Sequence, residues 1–465
     1  MSGAATPTVR FELERRIGRF DATALVVGSM IGSGIFIVSA ESARLLGSPG
    51  WLLLTWIAAG ALTLAAASSC AELAAMLPRA GGQYVFFREA YGPLAGFLFG
   101  WATFLVIQTG TIAAVAVAFA RFLGVLVPAV SGAPWIAAGR FSPSPVQLVA
   151  LAVIALLTAS NATGLKAGTR TQNVFTAAKL AALLGLAVSG LFFGHPGSVF
   201  SGTGFFDARG ASGQALSGVA LTTAFAAALV GPLFSQSAWN NVAFAGEEIR
   251  DPGRSLPFAL LAGCLAVTVL YVATNVAYLR ALPFGAIQHA PEDRVGTAAA
   301  GALFGAAGPP LAAVAILVST FGCVNGLILS GARVSFAMAR DGLFFRGLER
   351  LNAARVPAAA LWLQAAWAGL LVLSGTYGQL LRYVISADLV LCVLLVLAVV
   401  ALRRRHPEWP RPYRAPVYPW LPLLYAAAGL VLIALLLAGN PGGTWPGYAM
   451  LATGVPVYFF WRRRS

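Results

Sequence analysis

Gly28-Ser29-Met30-Ile31-Gly32-Ser33-Gly34 lies inside the first long apolar stretch of this chain, and its reading decides the fold. The surrounding run, residues 20–45, is long enough to cross a hydrocarbon core about 30 Å thick. Three glycines and two serines in seven positions weaken a helix there. In a bilayer, a helix interrupted in this way leaves backbone groups that lipid cannot satisfy, so a break is tolerated only where something else satisfies them. Amides opening the outer half-helix attract an anion, and carbonyls closing the inner half attract a cation. A zwitterion with its charges a few ångströms apart suits that pair, and glycine lets a ligand approach the backbone. The competing reading is packing, because Gly28-x-x-x-Gly32 is also a small-xxx-small pattern for close helix contact.

A second weak stretch helps to separate these readings. Val230-Gly231-Pro232-Leu233-Phe234-Ser235-Gln236-Ser237-Ala238 falls inside a later apolar run, where Pro232 removes a donor and clashes with the preceding turn. Counting runs by length and hydropathy gives twelve spans, near 20–45, 51–77, 93–127, 146–164, 172–194, 215–246, 256–281, 297–339, 357–375, 379–402, 418–438 and 445–461. The weak stretches are in the first and sixth. Packing does not require paired breaks, whereas a five-plus-five inverted repeat with a midplane site does. The expected organisation is an N-terminal segment 1–19, a ten-helix core 20–402 built of repeats 20–194 and 215–402, and two accessory helices in 403–465.

Composition agrees with a membrane solvent. The chain of 465 residues is 58% hydrophobic and 10% charged, against about a quarter charged in soluble domains. Its net charge of +15 is a matter of topology. With the N-terminus inside, 23 of the 31 basic residues fall inside and seven outside, with Lys179 in a span. Attraction to anionic lipid follows from that bias, and nucleic-acid binding does not. Both termini are expected in the cytoplasm and the chain in the plasma (inner) membrane. Arg10, Arg15, Arg16 and Arg19 precede the first span without an apolar run suited to a cleaved leader, so that span is expected to remain. Cys70, Cys264, Cys323 and Cys392 all fall within spans and read as small packing residues. His195, His289 and His406 lie in or near loops and form no metal pattern. No cofactor is implied. No nucleophile–base pair points to an enzyme, and paired breaks suit an occluded site better than a channel.

Two intramembrane charges require an account. Lys179 lies about two turns into the fifth span, and a lysine there is a functional hypothesis by default, with snorkelling as the alternative. Asp388, in the tenth span, either titrates in proton coupling, attracts a cationic group on the substrate, or lies at the outer rim. Glu72, Glu247 and Glu248 near inner helix ends are expected to pair with arginines in an inner gate or to stay solvated. Trp51, Trp56, Trp409, Trp420, Trp445 and Trp461 are expected as interfacial anchors.

At these residues the chain resembles the amino acid–polyamine–organocation superfamily, and within it the L-type amino acid transporter family. The resemblance rests on Gly28 to Phe36, on Glu72-Leu73 with Pro78-Arg79-Ala80-Gly81-Gly82-Gln83-Tyr84, and on Trp239-Asn240 followed by Glu247-Glu248-Ile249-Arg250-Asp251-Pro252. It continues through Phe321-Gly322-Cys323-Val324-Asn325-Gly326 with Arg333 and Arg340-Asp341-Gly342. It implies an all-α, LeuT-like fold with helices one and six interrupted, carrying amino acids by alternating access. The substrate carboxylate would meet the amides of Ser33 and Gly34. Its ammonium would meet carbonyls near Met30 and Ile31 and those of Phe234, Ser235 and Ser237, with Phe234 as an aromatic gate. The family has a lysine at the position of Lys179, standing where sodium-coupled relatives bind an ion. The resemblance therefore implies sodium-independent transport, with Lys179 reaching carbonyls near Gly28 and the hydroxyl of Ser319 or Thr320. Where the family usually has Gly-Trp, this chain has Ala238-Trp239, and the added methyl suits small or neutral amino acids. Exchange or facilitated transport is the preferred reading, and a proton-coupled amino acid or amine symporter the alternative. The loop 128–145 lacks the cysteine through which eukaryotic relatives join a heavy chain, so no disulfide-linked partner is expected and the carrier is a monomer or homodimer.

Overall fold

The computed structural model describes residues 15, 17–79, 81–131, 143–163, 168–194, 204–210, 212–354, 356–374 and 377–462. Arg10, Arg16, Ala80, His195 and residues 132–142 of the external loop lie outside that set. Among the described residues the chain is helical, with only two isolated backbone bridges.

The first apolar run forms α1 (Arg19–Met30) and α2 (Gly34–Leu46), which meet at 44°. α3 (Pro49–Met76) follows, then the short α4 (Gln83–Tyr91). α5 (Pro93–Ala102) and α6 (Gln108–Leu126) run on through one π-helical turn, Thr103–Ile107, as a single rod. α7 (Pro145–Thr163) and α8 (Gly168–Phe193) complete the first five spans. Proline opens α3, α5 and α7, where its missing N–H costs nothing and its fixed φ suits a helix start.

The sixth span forms α9 (Gly218–Ser235) and, beyond a turn at residues 236–240, the one-turn α10 (Asn241–Phe244). α11 (Pro252–Ala281) and the short α12 (Phe284–Gln288) lead to α13 (Val295–Phe304) and α14 (Gly308–Arg340). Residues 297–339 were expected as one long span. Instead Gly305, at φ +60°, lets the chain reverse, and Gly308 lies against the backbone of Ala300 and Gly301. α13 therefore folds back on α14.

α15 (Ala358–Ser374), α16 (Tyr377–Arg405), α17 (Trp420–Gly439), α18 (Pro441–Ala452) and α19 (Gly454–Arg462) close the chain. The expected span 445–461 is thus two helices divided at Thr453. Among the described residues nine helices are long and apolar enough to cross a bilayer, ten with the bent α1–α2 pair as one. α15, at 17 residues, and the α18–α19 pair complete the twelve.

Two groups of helices enclose the core. α1, α2, α3, α9 and α11 pack on one another, and α6, α7, α14 and α15 form the other side. α8 contacts both α11 and α14, and α16 reaches α3, α6 and α9. The two breaks thereby come to the centre. Trp56 is a correction to the anchor reading: it is fully buried, edge-on to Tyr271 at 5.4 Å, while Trp420 and Trp445 stay exposed.

Candidate functional site

α1 ends where Ile31 donates its amide to Val27 at 3.0 Å, so the last carbonyls of the helix point onward without intrahelical partners. Other elements supply the donors. Lys179 Nζ, on α8, donates to Gly28 O at 2.5 Å and to Ile31 O at 3.0 Å. Ser319 Oγ, on α14, donates to the same Ile31 O at 3.3 Å, and Cys323 Sγ lies 3.4 Å from Ser29 O. Tyr271 OH, on α11, donates to Met30 O at 3.0 Å. The negative end of a half-helix dipole is thus met by a cation and three weaker donors.

Lys179 is 1% exposed, so the snorkelling alternative does not hold. Of the two hydroxyls expected as alternatives, that of Ser319 reaches the break, whereas that of Thr320 bonds back to Ile316 O at 2.8 Å within α14. Met30 and Ile31 are buried, and their carbonyls already accept from protein donors.

Across the break, Ser33 precedes α2 and Gly34 opens it, and the first amides of a helix have no acceptor within it. Gly34 presses on α9: a Cβ there would fall on the Ser235 side chain and within 3.0 Å of its Cα. Gly231 repeats the fit from the opposite side, where a Cβ would lie 2.7 Å from Val38 Cβ. Packing and site readings therefore converge, since the close approach of α2 and α9 is what brings the two breaks together.

In α9, Ser235 Oγ bonds Gly231 O at 2.9 Å, and Ser237 Oγ bonds Phe234 O at 2.7 Å. Phe234, in the last turn of α9, is 5% exposed. The carbonyls of Ser235 and Ser237 accept no hydrogen bond from the described residues. Ala238 follows at φ +66°, a left-handed conformation unusual for a residue with a Cβ. Trp239 behind it is buried.

Asp388, partly buried, borders a narrow pocket with Gln236, Ser237, Trp239, Cys392 and Tyr425, beside the sixth-span break.

At the arginine-rich end, Glu72, 1% exposed, accepts from Arg403 at 2.6 and 2.8 Å and from the Ala415 amide at 2.7 Å. Arg411 lies 3.5 Å away. Glu248 pairs with Arg333 at 2.9 Å, joining the α10 side to α14, whereas Glu247 forms no ion pair among the described residues. Asp341 takes hydrogen bonds from Tyr84 at 2.6 Å and from Arg88. Burial, with the Asp341 carboxylate beside it, pushes the Tyr84 phenol above its ordinary range and keeps it a donor.

Sequence reasoning missed Tyr271 and the Arg403–Arg411 partnership. A tyrosine in an apolar helix and arginines after a span carry no local mark of a partner two hundred or more residues away. Cys323, read as packing, does fill space, and its thiol also faces the broken helix.

A family profile described as amino acid permease matches residues 17–460. The serine/threonine exchanger SteT of Bacillus subtilis (strain 168) is 30% identical over 97% of this chain and 98% of its own length. The large neutral amino acids transporter small subunit 2 of Homo sapiens is 30% identical over 97% of this chain and 82% of its own. The b(0,+)-type amino acid transporter 1 of Mus musculus is 28% identical over 96% and 88%.

Proposed function

Because the chain belongs to the amino acid permease family, we propose that it carries amino acids across the plasma (inner) membrane by alternating access, as an exchanger or facilitator that needs no sodium. The observation that carries this reading is the meeting of the two breaks, with Gly34 against Ser235 and Lys179 on the end of α1. The α-carboxylate goes to the amides of Ser33 and Gly34, at the positive end of α2. The ammonium goes to the carbonyls of Ser235 and Ser237, since those of Met30, Ile31 and Phe234 already have donors. Phe234 covers the site.

Lys179 supplies the reason for sodium independence. Its ammonium neutralises the carbonyl end of α1 and, with Ser319, links that end to α8 and α14. A tethered cation holds permanently what a sodium ion would hold only when bound. The Ala238 methyl beside the pocket supports a preference for small or neutral substrates.

The helices divide into repeats 20–194 and 215–402, both termini lie in the cytoplasm, and the Glu72 and Glu248 ion pairs then close the inner side. The human relative is named a small subunit, which speaks of an assembly for that protein. The loop 128–145 of this chain holds no cysteine, so a disulfide-linked partner is not part of the proposal.

Counterflow in proteoliposomes tests the reading across the proteinogenic amino acids and simple amines. Uptake that requires internal amino acid and is equal in sodium and choline supports it. Uptake that is sodium-stimulated counts against it, and uptake driven by a proton gradient without internal substrate favours symport.

A further inference from the structure

Among the described residues, Asp388 is an acidic side chain inside a spanning helix, α16, that no basic side chain pairs with. The hydrogen bond it accepts there comes from the Cys392 thiol, 3.6 Å from Oδ2. A thiol is a weak donor. Among the described residues no lysine, arginine or histidine pairs with it; Arg382, two turns earlier on the same helix, faces Glu41 at 3.9 Å. Glu72 shows the alternative treatment of a buried carboxylate, with two arginines and a backbone amide around it. A carboxyl group kept inside a spanning helix marks a substrate or ion pathway by default.

The surroundings indicate what kind of charge. The pocket that Asp388 borders is lined by two aromatic side chains, Trp239 and Tyr425, a residue type that attracts cations. Gln236 is held there, donating to Trp56 O at 3.2 Å and accepting from Thr268 at 2.8 Å, so the wall is fixed. Ser237 belongs both to this pocket and to the carbonyl set assigned above to the substrate ammonium. Ser237 thus adjoins both the break and the pocket that Asp388 borders.

We propose that Asp388, with Trp239 and Tyr425, forms a side-chain subsite for a second, cationic nitrogen, so that the carrier accepts amino acids ending in an ammonium or guanidinium group alongside neutral ones. The inference rests on the amino acid carrier reading given above and extends its substrate class. It requires the small pocket to open as the side chain enters, by rotation of Trp239 or a shift of α16.

The test is counterflow of lysine, ornithine and arginine beside serine and leucine, in proteoliposomes holding the wild type, Asp388→Asn or Asp388→Glu. The wild type is expected to exchange both classes. The ratio of cationic to neutral counterflow is expected to fall at least tenfold in Asp388→Asn and to survive in Asp388→Glu, which keeps the charge. Neutral counterflow in the wild type without any cationic counterflow overturns the subsite and leaves the carrier reading intact. A ratio unchanged in Asp388→Asn also overturns it, as does loss of a proton-gradient response at unchanged selectivity, which assigns the carboxyl to proton coupling. No counterflow of either class in the wild type sinks the carrier reading and this inference together.

Discussion

Three residues at the breaks carry predictions of their own. Gly34→Ala places a methyl on Ser235, and overpacking of this kind costs about 1–3 kcal/mol. Initial counterflow rates are expected to fall about tenfold, with the purified protein still monodisperse; an unchanged rate means that α2 and α9 need not touch. Ala238 occupies a left-handed conformation that costs a non-glycine residue about 1–2 kcal/mol. Ala238→Gly relieves that strain, offset in part by the added freedom of the unfolded chain. Melting in detergent is expected to rise by a few degrees for Ala238→Gly and to fall for Ala238→Val. Lys179→Gln removes the charge opposite the end of α1, takes the side-chain donor from Gly28 O at about 1–3 kcal/mol, and leaves Ile31 O to Ser319. Transport is expected to drop tenfold or more, while the wild type gives equal rates in sodium and choline. The glycines and Lys179 were legible in the sequence because a small or charged residue stands out in an apolar run. Tyr271 was not, because its hydroxyl matters only through Met30, 241 positions away.

Among the elements, the interrupted helices were the most legible. Gly28–Gly34 and Gly231–Ala238 break the local rules of a membrane helix, and the chain breaks at both places. The α13–α14 reversal was not legible, because Gly305 and Gly308 look like ordinary glycines within one long apolar run. Only the conformation of the turn separates the two helices. The linker after α16 was equally hidden. Arg403, Arg411 and the Ala415 amide converge on Glu72 at the foot of α3, and the Tyr413 hydroxyl lies 3.1 Å from Ser68 Oγ on the same helix. Removing one partner of a buried ion pair costs about 3–5 kcal/mol because the other stays buried and unanswered. Glu72→Gln and Arg403→Gln are each expected to lower the melting temperature clearly. The double variant is expected to lose less than the sum, because each single change strands the other group. Strict additivity would mean that the pair does not tie the linker to α3.

For the whole molecule, two helix groups meet at a pair of breaks, and ion pairs join the elements around them. Arg333 on α14 holds Glu248 beyond α10, and Arg44 in the last turn of α2 holds Asp293 before α13. Under the proposed alternating access, the contacts at one end would loosen while the Lys179 ammonium keeps α1 oriented on α8 and α14. The composition made the membrane class plain, and the paired weak stretches pointed to the two interruptions, but pocket shape was beyond a linear reading. The position of Asp388 beside Ser237 arises from the packing of α16 on α3 and α9. The measurement that tests the central claim most directly is a structure with a bound substrate, chosen from the counterflow screen. The account expects the amino acid between the two breaks, its carboxylate on the amides of Ser33 and Gly34 and its ammonium on the carbonyls of Ser235 and Ser237. An amino acid bound away from the breaks, or bound between them with its two ends reversed, would contradict it.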